Sequence, residues 1–167
     1  MAFMIPLSLS LSCRIFVGNS IGEGKPKTAK RYYHVILFSM LIAAGCILMT
    51  FNHARNSIIG SLTDQEAVIE IIYGAWPAYL TFLLVDGLSE QGGAVMLGLG
   101  RMGMGATVTF VGFFIVGLPS SIYLAYFKNY EISGIWIGAM LGTIFLLIFY
   151  NAFVCFLDWD KVVLESK

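Results

Sequence analysis

The sequence predicts an all-α integral membrane protein of five spans. Three observations lead there: a large apolar share, a scarcity of charge, and charges that cluster between apolar runs. Of 167 residues, 58% are apolar and 12% charged, and the mean hydropathy is +0.82. Soluble domains run at roughly 45–50% apolar and 25% charged, so a soluble globule is excluded. Ten basic residues balance ten acidic ones, which excludes the charge-rich composition of a disordered chain and leaves no basic field for nucleic acid. The length accommodates about five spans of about 20 residues each with short loops.

The first apolar run predicts a helix over 2–22, interrupted only by Arg14. Residues 1–12 carry no charged side chain, so the basic n-region of a cleavable leader is not expected there. Beyond the basic turn 23–31, a second helix is expected over 32–51. Thr63-Asp64-Gln65-Glu66 reads as a capping box, with Thr63 as N-cap and Glu66 reaching back, and predicts a third helix over 64–98. A fourth follows over 103–127, bent at Pro119 of Gly117-Leu118-Pro119, and a fifth over 132–157, leaving a short tail 158–167. Together, 1–167 form one unit.

Lysine and arginine fix the expected orientation, because cytoplasmic loops are enriched in them. Lys25, Lys27, Lys30, Arg31, Arg101, Lys161 and Lys167 fall on one side; Arg55 and Lys128 fall on the other. The C-terminus is therefore expected in the cytoplasm. Five spans then place the N-terminus outside without a charged anchor, which is most simply repaired by a further helix upstream.

An ionisable group within a span costs about 2.5–3.5 kcal/mol on insertion scales and marks a candidate site. Asp86 lies 16 residues after Glu70 and 15 before Arg101, roughly 22–24 Å from each along a continuous helix and so near mid-bilayer. Glu90 follows one turn later on the same face. Low dielectric favours the neutral form of a carboxyl group, which suits exchange with a proton or sodium ion. The alternatives are that Asp86 bonds a neighbouring helix and that Glu90 sits at the hydrated cytoplasmic end. Pro77, nine residues before Asp86, frees a backbone carbonyl and either gates a cavity or kinks the helix passively.

Gly134, Gly138 and Gly142 recur at helical spacing and predict a close helix-packing face; Gly18 and Gly22 either do the same or end the first helix. Arg14 reads as a snorkelling interfacial anchor. Trp76, Trp136 and Trp159 are packing or belt residues, or stack on a substrate. The cysteines Cys13, Cys46 and Cys155 are spaced singly and predict neither a metal site nor a disulfide framework. His34 and His53 stand apart near loop ends, so no metal, organic cofactor or enzymatic constellation is expected. Gly98-Leu99-Gly100-Arg101-Met102-Gly103 satisfies G-x-G-x-x-G but joins two apolar helices rather than a strand and a helix. Gly22-Glu23-Gly24-Lys25-Pro26 lacks the first glycine and the Ser/Thr of a phosphate loop.

Several of these pieces, in order, resemble the multidrug and toxic compound extrusion (MATE) family. The run Pro6-x-Ser8, Cys13-Arg14-Ile15-Phe16-Val17-Gly18-Asn19-x-Ile21-Gly22-x-Gly24 and Ala29-Lys30 is similar to the opening of the second helix of its C-terminal lobe. Phe51, Leu62-Thr63-Asp64-Gln65-Glu66-Ala67-Val68, then Val85-Asp86-Gly87, Gly98-Leu99-Gly100-Arg101-Met102 and Gly105-Ala106 follow in register. Gly117-Leu118-Pro119, Gly134-Ile135-Trp136-Ile137-Gly138 and Asp158-Trp159 complete it. The likeness is nearer to eukaryotic members.

This resemblance implies a five-helix part of the C-terminal lobe of a twelve-helix (6+6) transporter, supplying helices eight to twelve. It further implies ion-gradient-coupled export, by H+ or Na+ antiport, of organic cations and other xenobiotics, with Asp86 as the cation-coupling carboxylate and Glu90 and Pro77 as cavity or gating residues. Phe82 stands where some bacterial members have a tyrosine ligand, so that ligand is not carried over. The implied partners are the lipid bilayer, small organic cations, and either the N-lobe and first C-lobe helix or a full-length homologue. A chain of this kind is expected to be incomplete alone, from a split gene, a truncated gene model or a decayed copy. The alternative expectation is a non-transporting membrane partner or inactive fragment that associates with a full-length transporter.

Overall fold

The computed structural model describes residues 3–165, and among these every regular element is helical. The order is α1 (Met4–Gly22), α2 (Pro26–His53), α3 (Arg55–Leu62), α4 (Glu66–Gly98), α5 (Met102–Phe110), α6 (Leu118–Ile122), α7 (Glu131–Phe156) and α8 (Trp159–Glu165). Two π-helical stretches, Val111–Gly117 and Tyr123–Phe127, join α5 and α6 into one span, Met102–Phe127. Five helices are long and apolar enough to cross a membrane. Ala2, the first residue of the expected first helix, and Ser166 and Lys167 of the tail lie outside the described residues.

Two turns on the predicted cytoplasmic side share one construction. At the end of α1, Lys25 N–H donates to Ser20 O (2.8 Å) and Gly24 N–H to Ile21 O (2.9 Å), with Gly24 at φ 73°. At the end of α4, Arg101 N–H donates to Met96 O (3.1 Å) and Gly100 N–H to Leu97 O (3.1 Å), with Gly100 also at φ 73°. Both are Schellman caps, in which a left-handed glycine lets the chain satisfy orphan carbonyls. The two glycine-rich motifs that superficially resemble nucleotide-binding signatures are thus helix stops.

The structure moves the starts of two long helices and adds two short ones. α2 starts at Pro26 rather than at residue 32, because proline at the first helical turn needs no donor and Lys27, Lys30 and Arg31 lie on early, water-facing helical turns. α4 starts at Glu66 rather than 64: Thr63 Oγ1 accepts from Gln65 N–H (3.2 Å), and Glu66 closes no box. α3 occupies what reads as a loop, held by Tyr73 OH donating to Asn56 Oδ1 (2.9 Å) and by Arg55 over the Tyr73 ring (4.6 Å). Residues 159–165, expected as tail, form α8, whose Trp159, Val162 and Val163 pack with Cys13, Val17 and Ile21.

α4 is the axis of the lobe, packing most extensively on α7 and also on α1 and α2. α1 crosses it where a side chain would not fit: a Cβ on Gly98 would stand 2.7 Å from Arg14 O, and one on Gly18 2.9 Å from Gly98 O. Gly22 faces open space and only ends its helix. Gly134, Gly138 and Gly142 of α7 lie against the fourth span. A Cβ on Gly134 would stand 2.7 Å from Ala125 N, one on Gly142 2.6 Å from Gly112 O, and one on Gly138 would overlap the Ser121 backbone. Ser121 Oγ donates to Ile135 O across this seam (3.0 Å). Near Pro119 the fourth span widens into π turns, one established way of absorbing a helix irregularity. Pro77 lies within the continuous α4 helix, and Thr81 Oγ1 donates to its carbonyl (2.9 Å).

Candidate functional site

Tyr79, Phe82, Asp86 and Glu90 succeed one another along α4 at steps of three or four residues, so they share one face. That face borders an open cavity of about 510 Å³ that Phe3, Leu83, Phe113 of the fourth span and Trp136 of α7 also line. Trp136 can reach it because its neighbours Gly134 and Gly138 face the fourth span, which turns the tryptophan toward α4. Its ring centroid lies 4.9 Å from Tyr79, edge on, and 5.4 Å from Phe82. Trp76 and Phe51 extend the aromatic run, at 6.1 Å from Tyr79 and 6.5 Å from Trp76 respectively.

Asp86 is buried among these rings. Ser89 Oγ donates to its main-chain carbonyl (2.9 Å). Among the described residues, neither an ion pair nor a hydrogen bond to a neighbouring helix engages the Asp86 carboxyl. A carboxylate lining an aromatic cavity without a basic partner is electrostatically incomplete when charged, and either a proton or a cation completes it.

Glu90 is half-buried and lines two spaces: the Asp86 cavity and a second cleft of about 550 Å³ that Arg14, Thr109 and Tyr150 also border. It therefore lies inside the lobe, joining both spaces. Ser10 Oγ of α1 donates to its main-chain carbonyl (3.5 Å). Thr109 Oγ1 and Tyr150 OH lie 2.9 Å apart, and Tyr150 OH donates to Gly105 O (3.3 Å). Arg14, expected as an interfacial anchor, faces this cleft. The opposite side of α4 is closed: Gly87 lies against Met40 and Pro6.

Pro77 does not border the Asp86 cavity; it lines a separate open cleft with Leu48, Met49 and Asn52 of α2. Sequence reasoning left Trp136 undecided between packing and stacking and gave Tyr79 no role. Among the described residues no group of three or more His, Cys, Asp and Glu could hold a metal ion, and Cys13, Cys46 and Cys155 are free thiols.

The fold and the cavity together define a multi-pass membrane protein whose longest span presents acidic side chains to an aromatic-walled space. The sequence model of the MatE family matches residues 1–123, and the chain belongs to that family. It is 32% identical over 169 residues to multidrug and toxin extrusion protein 2 of Oryctolagus cuniculus, covering 99% of this chain and 28% of that protein. Against multidrug and toxin extrusion protein 1 of Homo sapiens the identity is 25% over 165 residues, covering 99% of this chain and 29% of that one. The crystal structure of the eukaryotic MATE transporter AtDTX14 superposes with a TM-score of 0.91 at 23% identity, covering 99% of this chain and 37% of that one. The chain thus spans under a third of the length of these curated relatives, and its fold is that of a partial MATE lobe.

Proposed function

We propose that this chain supplies the cation-exchanging part of a lobe that extrudes organic cations and other xenobiotics, driven by an ion gradient, as one portion of a larger transporter. The carrying observation is the unpaired Asp86 carboxyl in a cavity walled by Tyr79, Phe82 and Trp136. Ionised, it attracts a cation whose charge also lies against aromatic faces, an interaction of about 0.5–2 kcal/mol per ring. Protonated, it loses that attraction and the cation leaves. Mutual exclusion at one carboxyl is the simplest device that couples two flows. Glu90, one turn away on the same face, is the other acidic group of the cavity, and Arg14 faces it from the adjoining cleft.

The proton is the proposed coupling ion rather than sodium. A hard cation is suited by carboxylate, carbonyl and water oxygens; besides Asp86 the lining offers the Glu90 carboxyl and Tyr79, and its other side chains are aromatic or aliphatic, too few oxygens to replace the water shell of a sodium ion. The proposed orientation places the C-terminus in the cytoplasm, following the lysine and arginine distribution. The remaining spans of a twelve-helix transporter are the proposed partner, and with them the second wall of the central cavity.

Ethidium efflux from vesicles tests the reading. The full chain is reconstituted alone and together with the complementary spans of a relative, under an imposed pH gradient or a sodium gradient. Efflux driven by the pH gradient in the combined sample, lost in Asp86→Asn while membrane insertion persists, is the expected result. Undiminished efflux in Asp86→Asn overturns the role of Asp86, and efflux that follows sodium alone overturns the choice of ion.

A further inference from the structure

Away from the Asp86 cavity, the outer face of α2 begins with a cluster of cations. Lys27, Lys30 and Arg31 stand at positions i, i+3 and i+4, so they share one face of the first two turns, and all three are exposed. The buried residues Ala29, Tyr33 and Ile36 lie on the opposite face, where they pack in one cluster with Trp159, Val162 and Val163 of α8. Glu23, the acidic residue nearest in sequence, is paired with Lys25 at 2.8 Å. Among the described residues no carboxylate lies within ion-pair distance of Lys27, Lys30 or Arg31. The face therefore carries three uncompensated positive charges.

This placement is unfavourable for the helix by itself. Like charges three and four residues apart repel, and the positive end of the helix dipole disfavours cations in the first turn, where α2 has no acidic residue. An anion held at this end relieves both. Two to three turns beyond Arg31 the same face continues as Phe38, Leu41 and Ile42, which are 64%, 49% and 55% exposed. With 28 residues, α2 is about 42 Å long and overreaches the roughly 30 Å hydrocarbon layer, so its first turns stand at headgroup level. Tyr32, of the residue type that favours this interface, is also exposed there and stacks on Phe16 of α1, with ring centroids 5.2 Å apart. Polarity along one helix face therefore passes from cations to an apolar strip in the order in which a lipid passes from phosphate to acyl chain. We propose that this face holds one anionic phospholipid, its phosphate on Lys27, Lys30 and Arg31 and an acyl chain along Phe38, Leu41 and Ile42. The site is independent of Asp86 and of any transport activity.

Native mass spectrometry of the full chain, released from micelles doped with dioleoyl phosphatidylglycerol or dioleoyl phosphatidylcholine, tests this. One phosphatidylglycerol should be retained in preference to phosphatidylcholine. Lys30→Gln should weaken retention about fivefold, the effect of one basic residue at an anionic surface, and the triple change Lys27→Gln, Lys30→Gln and Arg31→Gln about a hundredfold. Lys30→Arg should keep the lipid, and Lys128→Gln, at the opposite end of the lobe, should change nothing. Should circular dichroism show that the triple variant misfolds, the single variants at the exposed Lys30 decide alone. Dihexanoyl phosphatidylglycerol, with the same headgroup and short chains, should be held more weakly than the dioleoyl lipid. Equal retention of phosphatidylglycerol and phosphatidylcholine, an unaffected Lys30→Gln, equal retention of the short-chain lipid, or displacement by inorganic phosphate would each overturn the proposal.

Discussion

α7 meets its two neighbours in opposite ways. Toward the fourth span, Gly134, Gly138 and Gly142 bring backbone against backbone and leave no room for a methyl group. Toward α4, Trp136 meets Tyr79 and Phe82 edge on and leaves a cavity of about 510 Å³ with Asp86 in it. Side-chain size along one helix thus decides which seam is sealed and which can take a guest. The sealed seam should carry stability, and the open one binding.

The largest effect should come from the sealed seam. Gly138→Ala forces a Cβ into the Ser121 backbone, which cannot yield without moving the fourth span; a loss of about 3 kcal/mol is expected, read as unfolding in detergent. The same change at Gly45, which faces open space on α2, should cost nothing and gain about 0.5–1 kcal/mol from helix propensity. Equal losses at both glycines would erase the distinction between the seams. On the open seam, Trp136→Leu should leave unfolding nearly unchanged and weaken ethidium binding about fivefold, the effect of removing one cation–π partner. A fluorescence titration separates these outcomes. The smallest effect is expected outside both seams: Thr63→Ala removes the hydrogen bond to Gln65 N–H, costing about 0.5 kcal/mol at the start of α4.

The sealed seam was far more legible in the sequence than the open one. Glycines at steps of four declare a close face whatever helix arrives, and the spans announce themselves as apolar runs between charges. The start of α2 was hidden because Lys27, Lys30 and Arg31 read as loop although they occupy early helical turns. α3 was hidden by its shortness and polarity, and the π turns around Pro119 have no periodic signature. Asp86 and Glu90 were legible as charges within a long apolar run. The wall around them was not, because Phe113 and Trp136 arrive from other spans and only tertiary packing brings them to Asp86. Pro77 is a separate case: its nearness to Asp86 in sequence does not carry over to space, because helix geometry puts the proline in a different cleft.

The central claim is that the Asp86 carboxyl binds a cation only when it has given up its proton. The most direct measurement is ethidium binding to the full chain in nanodiscs, from mildly acidic to mildly alkaline buffer, for the wild type, Asp86→Asn and Glu90→Gln. The wild type should bind more tightly as pH rises, Asp86→Asn should bind about tenfold more weakly in alkaline buffer, a loss of about 1.4 kcal/mol, and show little pH dependence, and Glu90→Gln should retain the trend. Binding by Asp86→Asn that tracks the wild type across the whole range would contradict the account, and loss of the trend in Glu90→Gln alone would move the exchange site one turn along α4.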